Sequence, residues 1–206
     1  MSDHDMGRII FGPILRGGGG PLTPGRGGPL IPCGGGGGGA ETIQSTFRNQ
    51  KLVRKLLKFL PDAQAARGRS KDRSTQVGAV VIDDDFNVRA SGYNGMARGV
   101  NDNVEERHQR PQKYLWAAHS EENCVAQAAR IGVSLKGCTI LLTSLFPCAT
   151  CSRLIIQAGI KRIVAPQVNH PGDGKVGRED WDAQFKVSKE MLAEAGVEVL
   201  YYEVPE

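Results

Sequence analysis

From residue 119 to residue 202 the chain alternates short apolar runs with longer amphipathic ones, and this rhythm limits the fold more than any other feature. HSEENCVAQAARIG sets Val125, Ala128 and Ala129 on one helical face and ends at Gly132, a residue suited to a left-handed helix cap. CTILLTS reads as a strand, ATCSRLIIQAG as a short helix ended by Gly159, and IKRIVAP as a second strand. DWDAQFKVSKEMLAEAG is an amphipathic helix, and VEVLYYE is a last strand. Strands joined by helices need the long crossovers that parallel pairing uses, so these three strands are expected side by side and parallel.

The upstream half has a different grammar. FRNQKLVRKLLKFL carries Phe47, Leu52, Val53, Leu56, Leu57 and Leu60 at helical spacing, so order is expected from about Thr46. Pro61 can open a further helical turn, and SKDRSTQ follows as a polar loop. VGAVVIDDD is a buried strand whose antiparallel partner is NVRASGYN. The stretch from Gly95 to Lys113 is polar and reads as a loop. The expected fold is a three-layer α-β-α sandwich around a mixed sheet of about five strands. Residues 1–40 hold more than half of the 27 glycines and cannot bury a core, so they read as a flexible tail before a domain spanning 41–206.

Charge and cysteine usage narrow the function. A net charge of +4 is modest, and the densest basic cluster, Lys51, Arg54, Lys55 and Lys58, fits a solvated helix face better than a nucleic-acid stripe. No run is long and apolar enough to cross a membrane, and the start lacks the pattern of a signal peptide. A cytoplasmic protein is therefore expected. The five cysteines are no secreted disulfide framework. Cys33 lies in the tail, and Cys124 and Cys138 sit among apolar residues as small core side chains. The close pair Cys148 and Cys151 is left, and in a reducing compartment such a pair suggests metal or redox chemistry.

The strand order lets that pair meet His119 and Glu121. Helices after neighbouring strands bring their N-termini to one edge of a sheet, and a helix N-terminus favours thiolates and carboxylates. One imidazole from His119 and two thiolates from Cys148 and Cys151 make three zinc ligands, leaving the fourth position for water, as catalytic sites do. Glu121 then remains as a proton carrier. This His-x-Glu with a later Pro-Cys-x-x-Cys is the set that zinc deaminases of nucleobases use. A thioredoxin-like role for the two cysteines leaves His119 and Glu121 unexplained. A closed structural zinc site needs a fourth ligand that neither His108 nor Cys124 is obviously placed to give.

With RSKDRSTQVGAVVID, SGYNGMARGVND, HSEENCVAQAAR and LFPCATCSRLIIQAGIKRIV in view, residues from about 69 to 165 resemble the deoxycytidylate (dCMP) deaminases of the cytidine deaminase superfamily. The zinc motif is shared across that superfamily, whereas the S-K-D-x-S-T-x-V-G-A run and the G-Y-N-G loop point to the dCMP branch. The resemblance implies zinc on His119, Cys148 and Cys151, with Glu121 as proton shuttle and dCMP as substrate; some relatives bind a second, structural zinc, but His108 stands alone in the matching loop, so one zinc per subunit is expected. It implies that Asn94 reaches the nucleoside, that Ser120 and Ser144 present backbone groups to the base, and that Phe146 helps wall the pocket. It places the Ser70–Thr75 loop near the phosphate, where Lys71 and Arg73 are suited to an anion. It also implies a homo-oligomer, commonly a hexamer, with dCTP and dTTP as effectors. Other cytosine nucleotides, dCTP or a 5-substituted dCMP, stay open as substrates. A nucleic-acid-editing role would call for an aromatic-lined basic groove, which scattered aromatics at 6% do not suggest. Two departures stand out: the usual D-P-S-T becomes Asp72-Arg73-Ser74-Thr75, and the segment after the fourth strand carries Asn169 and His170 rather than a tyrosine.

Overall fold

The computed structural model describes residues 43–167 and 181–203. The expected tail 1–40 with Cys33, the positions Asn169 and His170, and Asp180 at the expected start of the last helix lie outside the described residues. The first helix, α1, runs Ile43–Leu56 and so starts slightly ahead of Thr46. A 3-10 turn at Leu57–Phe59 leads into α2, Leu60–Arg67, which has Pro61 in its first turn, where a missing N–H costs nothing.

Five strands form the central sheet. They are β1 (Gly78–Ile82), β2 (Val88–Tyr93), β5 (Thr139–Leu142), β6 (Arg162–Pro166) and β7 (Glu198–Tyr202). Their order is β2-β1-β5-β6-β7. β1 pairs antiparallel with both β2 and β5, while β5, β6 and β7 run parallel, as the alternation predicts. The parallel crossovers are α5 (Ala149–Gln157) and α6 (Trp181–Glu194), and α4 (Ser120–Ile131) precedes β5.

The stretch expected as a loop before α4 holds more structure than its composition suggests. A 3-10 turn at Glu105–His108 and a short helix, α3 (Lys113–Trp116), lie inside it. β3 (Gly95–Met96) and β4 (Ala117–Ala118) close it as a two-stranded ribbon that delivers the backbone to His119.

Side chains alternate across the sheet and build a core on each face. Val80, Ile82, Leu141, Val164, Leu200 and Tyr202 pack with Val53, Leu56 and Ala63 of α1 and α2. Ala79, Val81, Ile140, Leu142, Ile163 and Ala165 pack with Cys124, Ala128, Ile155, Phe185 and Leu192 of α4, α5 and α6. Each fully buried aliphatic side chain contributes about 1.5–3 kcal/mol. Three layers result. Cys124 and Cys138 are core residues, and Lys51, Arg54, Lys55 and Lys58 face solvent.

One close approach aims the site. A Cβ at Gly92 of β2 would stand 2.3 Å from the Ser120 carbonyl oxygen and 2.7 Å from the Cys124 amide nitrogen. Only glycine lets the first turn of α4 lie so near the sheet.

Candidate metal centre and catalytic cavity

Two helix starts meet at one end of the sheet. His119 is the N-cap of α4 and Cys148 the N-cap of α5, both with extended backbone. The Cys151 amide donates to Cys148 Sγ at 3.5 Å, so the thiol takes the capping role that serine or aspartate fills elsewhere. His119 Nδ1 lies 3.5 Å from Cys148 Sγ and 3.4 Å from Cys151 Sγ. A tetrahedral zinc with ordinary Zn–S and Zn–N bonds sets nitrogen and sulfur about 3.6 Å apart, so the imidazole nitrogen already stands from each sulfur at close to the spacing the ion requires. Among the described residues this is the one group of three or more side chains suited to a metal. The residues considered as a fourth ligand are occupied: Cys124 Sγ donates to the Ala79 carbonyl, and His108 Nε2 lies 2.6 Å from the Asp102 carbonyl.

The electrostatics suit a cation. Hydrogen bonding from Cys151, joined by that from His119, draws the Cys148 thiol down to about 4 although burial opposes it. The hydrogen bond to Cys148, helped by Glu121, lifts His119 to about 9 against its burial. The bond to Cys148, together with burial, keeps Cys151 protonated. Zinc takes both thiolates and a neutral imidazole, so loading the site releases protons.

Glu121 lies one residue past Ser120 in the first turn of α4, only 5% exposed. Burial raises its pKa, against the pull of His119, and Ser120 Oγ donates to its Oε2 at 2.8 Å. A carboxyl group so placed holds a proton more readily than an exposed glutamate does.

A cavity of about 260 Å³ opens over these groups. His119, Ser120 and Glu121 line it, with Trp181 and Phe185 of α6 and Leu145 beside them. The Trp181 ring sits 6.2 Å from the His119 ring. Another part of the wall is Asp72, Thr75, Asn94, Arg110, Lys113 and Tyr114.

The sequence candidates divide here. Ser120 and Asn94 line the cavity with His119 and Glu121, while Cys148 and Cys151 lie behind His119, outside the lining. The Asn94 amide is fully engaged in holding the 70–77 loop. It accepts from Ser70 Oγ and the Val77 amide and donates to the Thr75 carbonyl and Asp72 Oδ2. Phe146 is buried one layer back, stacked on Tyr201 and edge-on to Phe185, while its neighbour Leu145 reaches the cavity. Ser144 also lies outside the lining, and its buried Oγ has no hydrogen-bond partner among the described residues.

Lys71 and Arg73 are likewise outside the lining. Lys71 pairs with Asp102 at 2.7 Å and Arg73 with Glu105 at 2.6 Å. The cations that do line the cavity are Arg110 and Lys113. Lys113 Nζ bonds Asp72 Oδ2 at 2.8 Å and Ser74 Oγ at 2.7 Å, and Arg110 Nε donates to the Tyr114 hydroxyl. The sequence reading missed Arg110, Lys113, Tyr114, Trp181 and Phe185. For the last two a signal existed, since positions 181 and 185 share a helix face.

Comparison with known proteins agrees with the geometry. Residues 53–167 match the family described as the cytidine and deoxycytidylate deaminase zinc-binding region. An uncharacterised deaminase of Aliivibrio fischeri is 36% identical over 144 residues, covering 70% of this chain and 90% of that protein. The probable deoxycytidylate deaminase of Drosophila melanogaster is 35% identical over 150 residues, 68% of each protein. The human deoxycytidylate deaminase is 35% identical over 111 residues, and the match spans 61% of its length. The fold resembles that of the dCMP deaminase of cyanophage S-TIM5, with TM-score 0.52 and 23% identity over 73% of this chain and 97% of that one. Since the matched region contains all three donors and Glu121, the chain belongs to the zinc-dependent cytidine and deoxycytidylate deaminase family.

Proposed function

We propose that this protein converts dCMP and water to dUMP and ammonia. The observation that carries the reading is a buried carboxyl, Glu121, beside a preset three-donor zinc site, in a cavity whose wall also holds Arg110 and Lys113. His119, Cys148 and Cys151 would hold the zinc. The chemistry a bound zinc supplies is Lewis acidity, which brings the pKa of water to roughly 7.

The protein's own residues do the rest. Glu121 takes the two protons of the attacking water in turn and gives one to the pyrimidine N3 and the other to the C4 amino group, so that the C4–N bond breaks, ammonia leaves and a carbonyl oxygen stays at C4. Ser120 Oγ fixes the orientation of that carboxyl. Trp181, Phe185 and Leu145 give the base an apolar wall. Asn94, just after β2, lines the cavity on the nucleoside side and shapes it by tying down the 70–77 loop with its amide. Arg110 and Lys113 take the 5′-phosphate, the role the sequence suggested for Lys71 and Arg73. Ser144 and Phe146 act from behind the wall, the one through backbone groups and the other by backing Phe185.

A homo-oligomer, with a hexamer favoured and dCTP and dTTP as effectors, belongs to the same reading. Adjacent Leu115 and Trp116, 82% and 41% exposed, are surface that a second copy would cover. A cytoplasmic site of action fits the four described cysteines, all free thiols. Among the described residues no helix is long and apolar enough to cross a membrane.

The test is an ammonia-release assay of purified protein on dCMP, deoxycytidine, dCTP, 5-substituted dCMP and single-stranded DNA, with Glu121→Gln as control. The expected result is a preference for dCMP and a loss of about 10²–10⁴-fold in the zinc-loaded variant, because an amide cannot carry the proton. A preference for another substrate, or near-normal turnover in the variant, overturns the reading.

A further inference from the structure

Helix α6 grips α5 at the residue that follows each cysteine ligand. Gln184 Oε1 accepts the Ala149 N–H at 3.2 Å, and Ala149 follows Cys148. Ser188 Oγ and Ser152 Oγ share a buried hydrogen bond of 2.5 Å, and Ser152 follows Cys151. The same helix presents Trp181 and Phe185 to the cavity. One element therefore holds both the aromatic wall and the backbone beneath the thiols.

We propose that Gln184 is a positioning residue for the metal centre, fixing the Cys148–Ala149 peptide so that the Cys148 thiolate points at the ion. The first amides of a helix have no acceptor within it. In α5 the Cys151 amide is satisfied by Cys148 Sγ, and the Ser152 amide begins the helical ladder on the Cys148 carbonyl. The Ala149 amide has its acceptor on another helix. Removing that acceptor leaves the peptide next to the ligand free to turn toward water. The Cys148 backbone and side chain turn with it. The Ser152–Ser188 bond meanwhile holds the body of α5 in place, so the effect falls on the ligand end. Groups one bond removed from metal ligands typically tune metal affinity or activity by about 10–100-fold.

The inference rests on the zinc reading, and the experiment separates the two. Zinc release from the loaded full-length protein to a chromophoric chelator is timed at a temperature well below unfolding. Wild type is compared with Gln184→Leu, Gln184→Glu and Ser188→Ala, and kcat and KM for dCMP are measured alongside. Gln184→Leu should release zinc about tenfold faster or more, with kcat falling further than KM rises. Gln184→Glu keeps the acceptor oxygen at a helix N-terminus that favours negative charge, and should hold zinc nearly as wild type does. Ser188→Ala should lower the melting temperature with little change in release. If Gln184→Leu lowers only the melting temperature, or Gln184→Glu loses zinc as fast as the leucine variant, Gln184 is packing and the proposal falls. Should Gln184→Leu fail to fold, zinc retention by Gln184→Glu alone decides. A wild-type protein that binds no zinc would instead overturn the metal reading.

Discussion

Replacing Lys113 by methionine tests where the phosphate of the substrate is held. Methionine keeps most of the length and removes the charge. The lysine is 11% exposed and lies on the cavity wall, paired with Asp72, which is also 11% exposed. A charge-assisted hydrogen bond between an ammonium and a phosphate is worth about 1.5–3 kcal/mol, or about ten- to a hundredfold in kcat/KM. The ratio of kcat/KM for dCMP to that for deoxycytidine should therefore fall by about that factor in Lys113→Met. The Asp72 carboxylate left behind still accepts from the Ser74 and Thr75 amides, which keeps the loop in place. The double variant Asp72→Asn/Lys113→Met removes the unpaired charge altogether and should show the same fall. Lys71→Met and Arg73→Met should leave the ratio within about twofold, because those side chains are tied to Asp102 and Glu105 outside the cavity lining. The assay is steady-state ammonia release with both substrates at matched zinc loading. A ratio unchanged in Lys113→Met but collapsed in Lys71→Met or Arg73→Met would refute this placement of the phosphate.

Two other perturbations address what holds the site. Gly92→Ala sets a methyl against the Ser120 carbonyl and the Cys124 amide, so α4 must shift; a loss of about 1–3 kcal/mol in urea unfolding and weaker zinc retention are expected, and wild-type values for both would show that the contact yields freely. Burial alone would raise the Asp72 pKa, but Lys113 and the Thr75 and Ser74 amides outweigh it and hold it at about 2, below its ordinary 3.8. Its stabilising effect, up to about 2 kcal/mol, is thus whole above pH 4 and lost as pH falls toward 2. The gap in unfolding free energy between wild type and Asp72→Asn should close over that window, and a gap constant from pH 6 to pH 2 would contradict the pairing.

The sheet and its layers were legible because each element carries its own periodicity. β1 is apolar on both faces, α4 ends at a glycine in the left-handed region, and three strands alternate with helices. The metal donors were legible because they sit at the N-caps and first turn of two helices at a recognisable spacing. The cationic part of the cavity wall was not. Lys113 and Asp72 are 41 residues apart, and no local pattern records their meeting. Nor did any local pattern record the ion pairs of Lys71 and Arg73, because their partners, Asp102 and Glu105, lie in a stretch that reads as featureless. That stretch owes its shape to distant pairings, β3 on β4 and the Arg107 guanidinium stacked 4.0 Å from the Trp116 ring, rather than to any repeat of its own. Trp181 and Phe185 share a helix face, yet only the strand order reveals which end of the sheet that face overlooks.

His119 and Cys148 are 29 residues apart and each begins a helix, so an ion bound there ties α4 to α5 across the intervening strand. Binding to the folded form alone shifts the folding equilibrium by mass action, by about 2.7 kcal/mol when free zinc is a hundred times its dissociation constant. The melting temperature of this protein is then no fixed property of its sequence. It reports the zinc concentration around it, and two preparations of identical molecules will differ in heat resistance according to how much of the metal each was given.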